Sequence, residues 1–304
     1  MAETTLGRKG KEVAEPAAGA RPEEARRPEP HARPRGRRAG ASLWIGAALA
    51  LIWLLAAALG PALAPYRYDE VNGAARLEAP SAAHPFGTDP LGRDQLSRVI
   101  VGARLALKMA TLGVAISAVV GSSLGLLAGY RGGWVDQLLS RGVDVWLAFP
   151  SLLLALLIVA RLGPSLANTT LALGVVGVPT FYRLARSGAL CARESGYVTA
   201  AQAVGAAGGR VLRRHVLPDV APSLLVMASM RLGMLILAGG GLSFIGLGAQ
   251  PPEPEWGAML AMGRDYLGAA PWLAVYPGLC ITLTVVGLNL LGDGLRDWLD
   301  PRNH

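Results

Sequence analysis

Three basic side chains, Lys108, Arg161 and Arg231, fall in or beside long apolar runs of this sequence. A charge on an apolar helix is costly in a bilayer and by default marks a pathway or a partner. Lys108 and Arg161 stand near the ends of their runs, where a long side chain can reach the interface. Arg231 lies more than ten residues from either end of its run. It is expected to face a water-filled pathway or a second subunit, either lining that pathway or held in a structural salt bridge. Acids are nearly missing from the runs, with Asp144 and Asp219 only at their edges, and His31, His84, His215 and His304 fall in loops or tails. A proton-coupled carrier would bury such groups in its spans, so the pattern argues against one. The acids Asp89, Asp94, Glu253, Glu255 and Asp265 could be drawn together as a metal site, but loop structure and partner docking account for them better. Cys191 and Cys280 have no C-x-x-C neighbour and read as small buried hydrophobes. No G-x-x-x-x-G-K-[ST] segment is present, so ATP is not bound here through a P-loop. With no convergent set of titratable residues, we expect no catalysis, no metal and no cofactor.

The elements that must hold these residues are membrane spans. The chain has 304 residues, 52% of them hydrophobic and only 16% charged, with a mean hydropathy of +0.38. Soluble domains carry about 25% charged residues. Residues 1–40 are rich in Pro, Arg, Glu and Ala without an apolar period, which predicts a disordered tail. Residues 41–64 form an apolar run long enough to cross a hydrocarbon core of about 30 Å. Ala62-Leu63-Ala64 resembles a signal-peptide cleavage site, but the tail is too long, the run exceeds an h-region and Pro65 follows, so an uncleaved anchor is expected. A polar loop, 65–104, comes next and includes a short amphipathic helix over 95–103 with Leu96, Val99 and Ile100 on one face. Five further apolar stretches follow, at 105–129, 144–162, 168–190, 220–247 and 273–292. Together they predict an all-α polytopic membrane protein with six transmembrane helices, whose last five form a core over 105–296. In the second, Gly121 and Gly125 are four apart and permit close helix packing.

Charge sets the sidedness. The formal net charge is +8. Residues 1–40 hold ten Lys or Arg against six Glu, and 183–214 holds six Arg against Glu194 alone. The segments 64–103 and 249–272 are slightly acidic. Basic loops stay inside. The N-terminus, the 191–217 loop and the 297–304 tail are therefore expected in the cytoplasm, an assignment that an even number of spans satisfies. The basic tail contains no aromatic residue, which argues against nucleic-acid binding.

The inner loop, Tyr197 to Pro218, reads as a helix over 197–204, a turn at Gly205, a second helix over about 208–216, and Pro218 opening the next span. Its Thr199-Ala200-Ala201-x-x-x-Gly205, with Leu217-Pro218 twelve residues past the glycine, resembles the EAA loop of bacterial ABC importer permeases. Four more blocks occur in the order of one branch of that family: His84-Pro-Phe-Gly-Thr-Asp-Pro-Leu-Gly-Arg-Asp94, Leu242-Ser-Phe-Ile-Gly-Leu-Gly248, Pro254-Glu-Trp-Gly-Ala-Met-Leu260 and Gly292-Asp-Gly-Leu-Arg-Asp-Trp-Leu-Asp-Pro301. Over residues 42–302 the chain resembles the C-type permease of the dipeptide/oligopeptide/nickel importers.

That resemblance implies a type I ABC importer permease fold in a bacterial inner membrane. It implies a heterodimer with a homologous second permease, two cytosolic ATPase subunits, and an external substrate-binding protein. It assigns Thr199, Ala200, Ala201, Gly205, Ala206, Leu217 and Pro218 to ATPase coupling. Arg193, Arg210, Arg213 and Arg214 would meet either lipid head groups or acidic ATPase residues. Peptides are the expected cargo, with nickel or oligosaccharides as alternatives and a secondary carrier or channel as a remote one. The chain departs from the family pattern at Thr199, where Glu is usual, and near Gly239, where an acid is common.

Overall fold

The computed structural model describes residues 41–299; the expected tail over 1–40 and residues 300–304 lie outside the described residues. The described chain is helical, with ten α-helices joined by short connections and one long loop. Helix α1 (Ala41–Leu63) is about 35 Å long. It is apolar on most sides and packs along α10 (Trp272–Leu299) where Gly287 and Gly294 leave room for Leu49 and Leu43. Its other faces expose Trp44, Leu51, Ile52 and Leu54.

The expected amphipathic helix over 95–103 is not a separate element: it forms the first turns of α2 (Gln95–Arg131), a single helix of 37 residues. The cause is a strong start and no break. Asp94 caps the helix by accepting from Ser97 N at 2.7 Å, and neither Gly nor Pro interrupts 95–101. The helix stops at Gly132, whose φ is +65°.

The expected span over 144–162 is broken. Helix α3 (Gly133–Leu147) and α4 (Ser151–Leu162) meet at 86°. Pro150 disfavours a helical Phe149 and offers no N–H of its own, which separates the two. At 12 residues, α4 is about 18 Å long and cannot cross a bilayer alone.

Helix α5 (Leu166–Arg193) matches the expected stretch 168–190 and has the length of a span at 28 residues. It carries Asn168, Thr169, Thr170, Thr180 and Arg183, which lower its apolar character. It is enclosed by protein rather than left to lipid, with Thr169, Thr170, Gly174, Val178, Phe181, Tyr182 and Ala185 buried against its neighbours. Among the described residues, four helices are long and apolar enough to cross a membrane, or five if the bent α3–α4 pair is one span. The expected six therefore requires counting both the bent pair and the polar α5.

The α2–α5 contact is the most extensive helix pairing among the described residues. Gly121, Gly125 and Gly129 lie on one face of α2 against the carbonyls of Val178, Tyr182 and Arg186. A Cβ at Gly121 or Gly129 would stand 2.5 Å from its carbonyl oxygen. On the facing helix, Gly174 and Gly177 admit Ile116 and Ser117, and Ser117 Oγ lies 2.6 Å from Gly174 O. Without a hydrophobic drive in lipid, this backbone-to-backbone approach supplies the dispersion contacts that hold the pair.

Three short helices complete the chain: α6 (Gly196–Ala203), α7 (Gly208–Val211) and α9 (Trp256–Arg264); α8 (Leu217–Phe244) is the fifth long one. The end holding 64–94 and 249–271 is here called upper, and the end holding 131–133 and 194–216 lower.

At the upper end the acids stabilise local structure. Asp89 is buried, pairs with Arg93 Nε at 2.6 Å and accepts from Leu91 N at 2.8 Å. Asp94 holds the α2 cap and lies 2.8 Å from His84 Nδ1. Glu255 caps α9 by accepting from Ala258 N at 3.0 Å, and burial pushes its carboxyl above the usual carboxylate range. Trp256, fully buried, donates to Val99 O at 3.0 Å, and Trp272 donates to Thr88 O at 3.3 Å. These bonds fasten the 64–94 loop and α9 onto the helix ends.

Candidate functional site

At the lower end, α5 reverses at Glu194–Ser195 and the chain turns through α6 into a second helix. Helix α6 ends in a Schellman motif. Ala206 N donates to Ala201 O at 3.1 Å and Gly205 N donates to Gln202 O at 2.9 Å. The motif places Gly205 at φ +83°, a region that costs other residues conformational energy. Ala201 and Ala206 turn inward onto an apolar cluster, while Thr199, Ala200 and Gly205 are exposed. Thr199 Oγ1 donates back to Ser195 O at 3.2 Å, so its hydroxyl is used within the helix.

The loop is anchored by residues that sequence reasoning missed. Val198, Val211, Val216 and Val220 are buried together with Leu126, Ala185, Ala189 and Ala192. Val211 and Val216 are five apart, one residue too many for a face of an α-helix. The chain accommodates them with a π-helical turn, Leu212–Val216, in which Leu217 N bonds Leu212 O. A regular α-helix would have brought His215 inward instead. Pro218, with no N–H, leaves the carbonyl ladder open just past this turn. A run of valines at spacings five and four was the signal available in the sequence.

This turn also corrects the expectation for Pro218. The second loop helix does not end before it. Gly208–Phe244 is one helical run of 37 residues, with Leu217 and Pro218 exposed on it. Gly208 and α8 thus belong to one continuous helical run, with the π-helical turn inside it.

The basic residues divide into two sets. Arg193, Arg210, Arg213 and Arg214 are exposed. Arg186, counted above as part of the positive loop, is instead paired bidentately with Asp136 of α3, with Nε–Oδ1 2.5 Å and Nη2–Oδ2 2.6 Å. Ser140 Oγ lies 2.9 Å from Tyr182 OH beside that pair. Arg183 makes a longer, exposed contact with Asp144 at 3.4 Å. Tyr130, near the end of α2, accepts from Gln202 Nε2 at 3.4 Å and lies against Gly208. The loop is thus tied to α2, α5 and α8, and α5 in turn to α3.

Arg231 is remote from the loop. It sits midway along α8, half-buried, and donates through Nη2 to Thr180 Oγ1 of α5. No acidic partner for it is found among the described residues. Near it in sequence, Gly239 lies against Met109 Sδ and Gly240 against Gly257, so both glycines are sites of close approach.

At the lower end the arrangement offers a small-residue surface packed against a continuous helix. The model of the binding-protein-dependent transport system inner membrane component family matches residues 121–304. The dipeptide transport system permease protein DppC of Alkalihalophilus pseudofirmus is 46% identical over 85% of this chain and 85% of its own length. The glutathione transport system permease protein GsiD of Pectobacterium atrosepticum is 46% identical over 78% of this chain and 77% of its own length. The probable D,D-dipeptide transport system permease protein DdpC of Escherichia coli is 45% identical over 84% and 86%. In architecture, a chain of the MetNI methionine ABC transporter in an inward-facing conformation superposes with a TM-score of 0.54 at 19% identity, covering 66% of this chain and 96% of that one. This chain belongs to the family of binding-protein-dependent transport system inner membrane components, with the helical fold of a type I ABC importer permease.

Proposed function

We propose that this chain is the permease subunit of an ATP-driven importer for di- and oligopeptides. It forms half of the translocation pathway, paired with a homologous permease, and does no chemistry itself. Two cytosolic ATPase subunits hydrolyse ATP and engage the 197–218 loop through Thr199, Ala200, Gly205, Leu217 and Pro218, with Ala201 and Ala206 as inward supports. An external binding protein delivers cargo to the upper end. The N-terminus, the 191–217 loop and the 297–304 tail lie in the cytoplasm, and 65–104 lies outside.

One observation carries this reading. The exposed face around Ala200 and Gly205 is backed by Val198, Ala201 and Ala206, which pack with Val211, Val216 and Val220 of a helical run that continues unbroken from Gly208 to Phe244. An ATPase that closes on this face would pull α8, and with it Arg231 and its Thr180 partner on α5, toward a new packing. Arg231 is assigned to the pathway on these grounds: it is a half-buried charge midway along a span with a neutral partner. The peptide assignment is favoured by the relatives named above, which are named as dipeptide and glutathione permeases.

The test is uptake of isotope-labelled di- and oligopeptides in cells with and without the gene, beside a Gly205→Trp variant. Loss in both the deletion and the variant supports the reading. Undiminished uptake in the deletion contradicts it.

A further inference from the structure

Two cavities at the upper end, of about 780 and 920 Å³, share Lys108 and Glu253 in their walls. Lys108 lies about 20 Å along α2 from Gln95, well inside the helix that forms a span. Both side chains are exposed. Among the described residues neither makes a side-chain hydrogen bond or ion pair, not even with the other. Arg104, one turn before Lys108 and also exposed, lines the larger cavity and is likewise unpaired. Glu253 differs from the other acids of the upper end: Asp69, Asp89 and Asp265 pair with Arg67, Arg93 and Arg264, Asp94 and Glu255 cap α2 and α9, Glu78 lines neither cavity, and Glu70 lines the larger one alone.

An unpartnered ammonium on a membrane helix demands water or an anion. Here an unpartnered carboxylate shares its cavities without reaching it. A ligand with a negative group at one end and a positive group at the other satisfies both at once, through charge-assisted hydrogen bonds. The smaller cavity is otherwise mostly apolar, with Met109, Leu112, Ile116, Leu166 and Leu171 in its wall. Such a wall accepts varied side chains without selecting among them.

We infer that Lys108, supported by Arg104, and Glu253 form a site in the permease itself that reads the two termini of a peptide. The C-terminal carboxylate meets Lys108 and the N-terminal ammonium meets Glu253. The inference rests on the proposed peptide function and deepens it. It gives the permease a selectivity of its own, for free-ended zwitterions over neutral sugars, and it opposes a divalent cation, which Lys108 and Arg104 would repel.

The experiment uses the complete importer reconstituted in vesicles, with saturating cargo-loaded binding protein. Transport is timed for a free-acid peptide and for its C-terminal amide, both chosen from those the binding protein loads. Assembly of each variant is checked by co-elution of all subunits. Lys108→Gln is expected to slow the free-acid peptide about tenfold, the scale of one lost charged hydrogen bond, and to leave the amide rate unchanged. Lys108→Arg restores the free-acid rate. Glu253→Gln slows both peptides, and Glu253→Asp restores them. Peptide transport unaltered by Lys108→Gln and Glu253→Gln overturns this site alone, as does an equal loss for both peptides in Lys108→Gln. A wild-type importer that moves no peptide overturns the cargo reading and this site together.

Discussion

The glycine that closes α6 gives the sharpest prediction. Gly205 has φ +83°, and a Cβ built there meets nothing within 4 Å. Substitution by Ala therefore introduces no clash, and its cost is conformational alone. Holding an L-residue in the left-handed region costs about 1–2 kcal/mol. That disfavours the folded turn by roughly 5–30-fold. The two Schellman bonds, Ala206 N to Ala201 O and Gly205 N to Gln202 O, open in proportion. Asn tolerates the left-handed region, so Gly205→Asn is expected to retain most of the closure. The assay is amide hydrogen exchange over 196–206 together with ATP-driven uptake. Gly205→Ala should speed exchange across α6 and reduce uptake, with Gly205→Asn between it and the wild type. Equal exchange and uptake in all three would refute the reasoning, because the turn would then not depend on the sign of φ at this residue.

Other perturbations follow from the same packing. Gly125→Val drives two methyls toward the Tyr182 carbonyl, with no flexible side chain to yield. It should separate α2 from α5 and abolish recovery of folded protein in detergent, whereas Gly142→Val, at a position with open space, should leave recovery unchanged. Asp136→Asn and Arg186→Gln should each lower the thermal midpoint. A double-mutant cycle should show coupling of about 1 kcal/mol for this partly buried bidentate pair, and additive effects would contradict it. Glu255 binds its proton more tightly when folded than when unfolded. Stability should therefore fall as pH rises from the ordinary carboxylate range through the raised folded value. Glu255→Gln should flatten that dependence; an unchanged pH profile in the variant would count against burial as its source.

Much of the architecture was legible because lipid imposes a simple rule on helices. The apolar run of α1, the four-residue glycine spacing of α2 and the turn glycine at 205 each follow from one local requirement. Where sequence reasoning failed, two effects competed. The amphipathic period over 95–103 was real, but it belonged to the start of a longer helix, because nothing after Asp94 stops it. The stretch 144–162 was apolar throughout, yet Pro150 decided its path. The positive loop was counted by charge, and a count cannot see that Asp136, fifty residues earlier, neutralises Arg186. In the 197–218 loop the residues proposed to meet the ATPase were assigned by resemblance to a family motif. Their support was not, because Val211 and Val216 share a face only after a π-helical turn shifts the register. Lys108 read as a charge that could reach an interface. Its lack of a side-chain partner among the described residues, and its sharing of two cavities with Glu253, emerge only from the packing of α2 against the 249–254 segment.

The central claim is that the Ala200–Gly205 face delivers the ATPase motion to α8. It is tested most directly by placing a photo-crosslinking residue at position 200 and, as a control, at position 44 on the outward face of α1, where Trp44 is 70% exposed. Irradiation in membranes should join the chain to the ATPase subunit from position 200 and not from position 44, with a yield that changes when ATP is bound. A chain that crosslinks to the ATPase equally from both positions, or from neither, would contradict the account.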